Sequence, residues 1–317
     1  MMAVGCMRRG GTRAASSSFR RHMSTAQRPL RFLIVEGYNE EGRQELVDNG
    51  AIVASELYAT MLTACAGHVP TTHHVIYPTD GPVTLPDLSQ FDGVAWTGCR
   101  LTVHQANDPH VERHLELARQ CYAFGIPQFG SCWASQVAVF AAGGKVAKNP
   151  NGREMGLARK IELTPEGRGH PLYEGKTRVF DAFTSHYDEI THLPPGAIKL
   201  GRNAFSLTQA VAVRHLKGEF WGLQYHPEYN LHEMARLTNA RRQRLVNYGL
   251  FLDMAAADRY VAELEELHAH PDRKDIAWRL GIDTDVLDDD IRCIEVKNFI
   301  KHLVLPYNQS RVLVRTD

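Results

Sequence analysis

The hydrophobic pattern between residues 31 and 228 is that of an α/β chain, because short apolar runs rich in Val, Ile and Phe alternate with longer segments of helical period. The runs 31–36 (RFLIVE), 72–77, 93–97 (GVAWT) and 126–130 (IPQFG) have the length and near-continuous apolar character of parallel strands buried on both faces. Between them, 55–66 and 110–124 carry apolar residues three and four apart, which predicts crossover helices, the second announced by Asp108-Pro109. After Gly144 the helices thin out. Strand-like stretches at 159–163, 178–180, 198–201, 210–213 and 220–224 predict a mixed or antiparallel half-sheet. From 231 to 305 the pattern becomes nearly continuous amphipathic helix, broken at His270-Pro271, Gly281 and Asp288-Asp289-Asp290. The expected organisation is a leader over 1–30, a sheet domain over 31–231 and a helical extension over 232–317.

Composition narrows the function. A chain of 317 residues, 44% of them hydrophobic, can bury one large core or one core with a smaller appended unit. Lys plus Arg and Asp plus Glu balance at 36 each, so no global field draws the protein to nucleic acid or to a membrane surface; a small-molecule substrate is expected. No apolar run approaches the roughly 18 residues of a membrane span. Six cysteines without C-x-x-C spacing suggest neither a zinc knuckle nor a disulfide framework, and point to a reducing compartment. The leader, with seven arginines from Arg8 to Arg31 and no acid before Glu36, has the composition of a mitochondrial presequence, but the preferred reading is sequence upstream of an ordinary start at Met23-Ser24-Thr25, which makes the expected location cytoplasmic.

The segment Phe129-Gly130-Ser131-Cys132-Trp133-Ala134-Ser135-Gln136 runs from a buried strand through small residues into an apolar helix. This is the layout of a nucleophile elbow, where a tight turn lifts Cys132 clear of the sheet and the helix N-terminus favours its thiolate. A lone cysteine is most often a small buried hydrophobe. The second segment changes that reading: the strand 220–224 is followed at once by Tyr225-His226-Pro227-Glu228. A histidine at a strand end can serve the thiol as acid and base, and a carboxylate two positions on can hold its other ring proton. His73 and His74, neighbours on a strand, point to opposite faces and cannot readily share a metal; no metal or cofactor is expected.

In order and spacing these segments resemble the Cys-His-Glu triad of class I glutamine amidotransferases, the family that includes the glutaminase part of GMP synthase. That family's elbow, G-x-C-x-G-x-Q, is matched by Gly130, Cys132 and Gln136, with Ala134 at its second glycine; its Q-x-H-P-E is matched by Gln224, His226, Pro227 and Glu228. Ala134 is expected to crowd the substrate slightly. Thr97-Gly98-Cys99-Arg100 stands where the family has S-G-G-P, Arg153-Glu154-Met155-Gly156 resembles its R-E-x-G, and Ser185-His186-Tyr187-Asp188 its S-H-x-D. The resemblance implies a flavodoxin-like α/β domain, mostly parallel at its centre and flanked by helices, with the C-terminal helices as an extension. It also implies Cys132 as nucleophile with His226 and Glu228, Gly98 and Trp133 as oxyanion donors, and Gln136, Ser185 and His186 near the glutamyl group.

The activity so implied is hydrolysis of the side-chain amide of glutamine, with ammonia delivered to a separate synthase, since no S-G-G-x-D-S phosphate loop is present. The alternatives are a stand-alone γ-glutamyl hydrolase and a non-catalytic module on the same scaffold. The helical extension could dock a synthase, form a homodimer, or cap the sheet.

Overall fold

The computed structural model describes residues 1–2, 28–105 and 107–314; nearly all of the expected leader, including the alternative start at Met23, lies outside them. The first half alternates β1 (Leu30–Val35), α1 (Glu40–Asp48), α2 (Ala54–Cys65), β2 (Thr71–Ile76), β3 (Gly93–Trp96), α3 (Pro109–Phe124), β4 (Gln128–Ser131) and α4 (Trp133–Ala141). There follow β5 (Lys145–Lys148), β6 (Glu154–Leu163), α5 (Pro165–Gly169), β7 (Val179–His186), β8 (Asp188–His192), β9 (Ala197–Arg202), β10 (Ala210–His215) and β11 (Gly218–Leu223). Nine strands form one sheet in the order β2-β1-β3-β4-β11-β10-β9-β6-β7, while β5 and β8 pair separately. From β2 to β11 every pairing is parallel; from β11 to β7 every pairing is antiparallel. The mixed half expected from the sequence is therefore present.

The central parallel strands β1, β3 and β4 are buried along nearly their whole length because both faces are covered. Successive side chains of β1 point to opposite sides: Leu33 and Val35 join a cluster with α3 and α4, whereas Phe32 and Ile34 join one with α2. Local signals set the helix ends. The Asp108 carboxylate accepts from His110 N, Pro109 opens α3, and Gly125 closes it at φ 90°, a left-handed value that glycine adopts without strain.

The C-terminal region comprises α6 (Leu231–Asn247), α7 (Met254–Ala269), α8 (Lys274–Leu280), α9 (Thr284–Leu287), α10 (Asp289–Arg292), α11 (Ile294–Phe299), a π-helical turn Ile300–Val304 and α12 (Leu305–Val314). One interruption was missing from the sequence pattern, between α6 and α7, where Gly249 takes φ 76° and Asp253 caps the next helix. These helices share cores with the sheet: Leu231, Met234 and Leu264 pack with Tyr38, Leu46 and Phe183, and Val296, Phe299 and Ile300 pack with Phe32, Phe129 and Trp221. Truncating Phe129, fully buried beneath α11 with its ring 5.3 Å from that of Phe299, would cost about 3–5 kcal/mol. A buried polar knot adds to the join. Glu295 meets Lys176 Nζ at 3.1 Å and accepts from the Tyr225 hydroxyl at 2.6 Å, and Tyr225 is in turn 2.8 Å from the Tyr173 hydroxyl.

Candidate active site

The carboxyl ends of β3, β4 and β11 lie side by side, and each delivers one part of the predicted site. Cys132 sits between β4 and α4 at φ 56° and ψ −115°, a strained conformation for a residue with a side chain. Its N–H is bonded to Leu223 O at 2.7 Å, so the elbow is pinned to β11. Trp133 is the first residue of α4, and its N–H therefore lacks an intrahelical partner. Gly98 follows β3 so closely that a Cβ there would lie 3.1 Å from His226 Cε1 and 3.4 Å from Cys132 Cβ. A side chain at this position would press on the His226 ring.

The fit beneath the elbow corrects one expectation. Ala134 is fully buried and does not line the cavity; a Cβ on Gly130 would lie 2.5 Å from the Ala134 Cβ. The methyl group points under the turn, where the glycine at 130 makes room for it, and so it does not crowd a substrate.

His226 Nδ1 lies 2.7 Å from Glu228 Oε1, and both side chains are buried. The same Glu228 oxygen accepts from Ser131 Oγ at 2.8 Å, and Ser131 Oγ lies 2.5 Å from the Tyr58 hydroxyl. This chain of bonds fixes the carboxylate, and the carboxylate fixes the ring. His226 Nε2 and Glu228 Oε2 meet no protein partner. Burial, the largest single influence, disfavours the imidazolium, but the Glu228 charge and the neighbouring Cys132 sulfur outweigh it and push the His226 pKa up to about 9. The ring also stacks on Tyr229, 4.1 Å away at 7°.

The nucleophile end opens into a cavity of about 240 Å³. Ser185 and Gln136, predicted to lie near the glutamyl group, are both on its wall. Cys132 Sγ lies 3.5 Å from Ser185 O, and Ser185 Oγ accepts from Arg153 at 2.9 Å and Arg241 at 2.8 Å. Gln136 Nε2 donates to Asp188 O and Gln224 Oε1. His186 lines the cavity, but both its ring nitrogens are engaged, Nε2 with Glu154 at 2.7 Å and Nδ1 with Asp188 O at 3.0 Å. Glu154 is buried. Arg100 reaches the cavity mouth and pairs there with Glu45.

Four residues of this site escaped sequence reasoning: Tyr38, Tyr58, Ser131 and Arg241. Ser131 adjoins the cysteine and was quoted only as a small turn residue, while Arg241 lies in an amphipathic helix where one more arginine carries no signal. Among the described residues, no group of three or more His, Cys, Asp or Glu side chains could hold a metal ion, and no helix is long and apolar enough to cross a membrane.

A parallel sheet whose strand ends gather a cysteine elbow, a histidine–glutamate pair and free amide donors has the geometry of an acyl-transfer enzyme of the α/β class. Comparison with known proteins gives the particular family. The profile described as glutamine amidotransferase class-I matches residues 90–241. A γ-glutamyl-L-1-hydroxyisopropylamide hydrolase from Pseudomonas sp is 31% identical over 283 residues, 87% of this chain and 94% of its own. The chain belongs to the class-I glutamine amidotransferase family. GMP synthase of Symbiobacterium thermophilum is 29% identical over 153 residues, which are 48% of this chain but only 28% of that enzyme. A glutamine amidotransferase structure from Thermotoga maritima shares the fold, with a TM-score of 0.60 at 15% identity over 88% of this chain and 99% of its own.

Proposed function

We propose that the chain is a thiol-dependent hydrolase of γ-glutamyl amides that acts without a synthase subunit. The observation that carries this reading is the position of α6. Its Arg241, Arg244 and Leu245, with Tyr248 just past its end, line the cavity, so a helix of the same chain walls the site where an ammonia-delivering subunit needs an exit to its partner. Similarity to the hydrolase from Pseudomonas sp over 87% of the chain supports the same reading, since that span takes in most of the helical region as well as the sheet.

In this mechanism the Cys132 thiolate attacks the γ-carbonyl carbon, and the Gly98 and Trp133 amides hold the oxyanion, each such donor contributing about 3–4 kcal/mol to the barrier. The His226 imidazolium hands its Nε2 proton to the amide nitrogen as the C–N bond breaks, and the amine departs. A γ-glutamyl thioester remains on Cys132. Neutral His226 then takes a proton from water, the resulting hydroxide adds to the thioester, and glutamate leaves as the thiolate is restored. Glu228 keeps Nδ1 protonated throughout, and Ser131 and Tyr58 hold Glu228.

The test is release of glutamate together with the free amine from a panel of γ-glutamyl amides, for the intact chain and for Cys132→Ala. Turnover abolished by the substitution supports the hydrolase. A second reading, a glutaminase delivering ammonia to a separate synthase, is favoured by the similarity to GMP synthases over 48% of the chain. It would be preferred if glutamine were the sole donor and its turnover awaited an added synthase.

A further inference from the structure

Two guanidinium groups inside the cavity have no anionic partner among the described residues. Arg153 and Arg241 converge on one hydroxyl, Ser185 Oγ, and Arg241 otherwise donates only to the Tyr38 hydroxyl at 3.1 Å. Neither forms an ion pair with a carboxylate among the described residues, and Arg153 Nε is buried without an acceptor. The arginines at the mouth differ, because Arg100 and Arg244 both pair with Glu45. Burying two like charges side by side is costly unless an anion joins them, and a planar guanidinium pair is shaped for a carboxylate.

The position of the pair identifies which end of the substrate it meets. His226 must reach the departing nitrogen, so the amine half of the substrate emerges on its side of the scissile carbonyl. Tyr229 stacks on the His226 ring, and Arg241 sits with Tyr38 next to Tyr229 on that same side. Gln136, bonded to Asp188 O and Gln224 Oε1, stands on the cavity wall where the glutamyl chain is expected, while the hydroxyl of Ser185, expected there too, is taken up by the two arginines.

Resting on the hydrolase reading above, we infer that Arg153 and Arg241 clamp a carboxylate on the amine half of the substrate, so that the enzyme selects γ-glutamyl conjugates of amino acids or other acidic amines over conjugates of neutral amines. The probes are γ-glutamylglycine and γ-glutamylglycinamide, which differ only by a carboxylate against a carboxamide. The expected result is a kcat/KM about 10–100-fold higher for the acid, a ratio that Arg241→Gln or Arg153→Gln collapses towards one and Arg241→Lys partly keeps. An unchanged ratio in both glutamine variants, or no preference in the intact enzyme, overturns the clamp. A third probe, γ-glutamylglycine amidated at its α-carboxylate, separates the two carboxylates: loss of the arginine dependence with this compound assigns the pair to the α-carboxylate and overturns the amine-half assignment. Alkylation of Cys132 by a neutral electrophile, and the melting temperature, show that each variant is folded. Equal loss of alkylation and of both turnover rates means that the pair serves the thiolate instead. Should the intact enzyme hydrolyse neither probe, the hydrolase reading falls separately, and equilibrium binding of the two compounds to Cys132→Ala, with and without Arg241→Gln, still decides the clamp.

Discussion

Two buried histidine–glutamate pairs stand at the cavity, and within each the contact is the same: 2.7 Å from ring nitrogen to carboxylate oxygen in His226–Glu228 and in His186–Glu154. Their remaining atoms differ. Glu154 also accepts from Asn203 at 2.7 Å and Gln209 at 2.8 Å, and His186 spends its second nitrogen on Asp188 O. His226 Nε2 and Glu228 Oε2 are unused, and the thiol lies beside that nitrogen. A saturated pair can only hold structure together, whereas a pair with spare bonding capacity can move a proton. The comparison separates two motifs of similar composition, S-H-Y-D and Q-Y-H-P-E, by the bonding capacity each leaves free.

The largest effect that sharpens this contrast is expected at the thiol facing the open pair: Cys132→Ala should lower γ-glutamyl amide turnover by about 10⁴-fold or more, measured as glutamate release. Glu228→Gln comes next, at roughly 10³–10⁴-fold, because the ring loses the acceptor that orders its tautomer. The same variant should change the pH profile. Since the His226 pKa is raised from its ordinary 6.5 to about 9, the imidazolium is favoured in the folded state; that contribution to stability is complete below about pH 6.5 and disappears as pH rises through about 9. Activity that needs the imidazolium should fall over the same range, and Glu228→Gln should shift the basic limb downward, leaving burial to dominate. A limb unmoved in that variant would mean that another group titrates there.

At the closed pair the loss should be in stability. Glu154→Ala strips His186, Asn203 and Gln209 of a shared acceptor and should cost about 3–5 kcal/mol, read from the denaturant midpoint, with Cys132 alkylation retained below the transition. If this variant instead lost turnover with no change in midpoint, the division between the two pairs would be wrong. Ser131→Ala gives the smallest change, about 1–2 kcal/mol in barrier height, since Glu228 loses one donor but keeps the histidine.

The parallel half of the fold was readable because β1 and β3 are short, mostly apolar runs buried along nearly their whole length, and β4 runs into the small residues of the elbow. α1 was missed: Glu40–Asp48 buries only Gly42 and Leu46, too few to set a period. β7 was seen only at its start, because Asp181, Thr184, Ser185 and His186 are buried polar residues that interrupt the apolar signature of a strand. For the site, the elbow and the Q-Y-H-P-E segment are contiguous and so legible, while Tyr58 and Arg241 come to it from 74 residues before and 109 after Cys132, through folding alone. Ala134 was misjudged because the sequence does not say which way its methyl group points.

The knot of Glu295, Lys176, Tyr173 and Tyr225 bears on the order in which the molecule becomes competent. Tyr225 immediately precedes His226, yet its hydroxyl is held by a carboxylate 70 positions further along. On the ribosome, the triad residues all emerge while that anchor is still unmade, and the strand end bearing His226 hangs without its brace. The nascent protein should therefore complete this site late, when Glu295 docks against Tyr225.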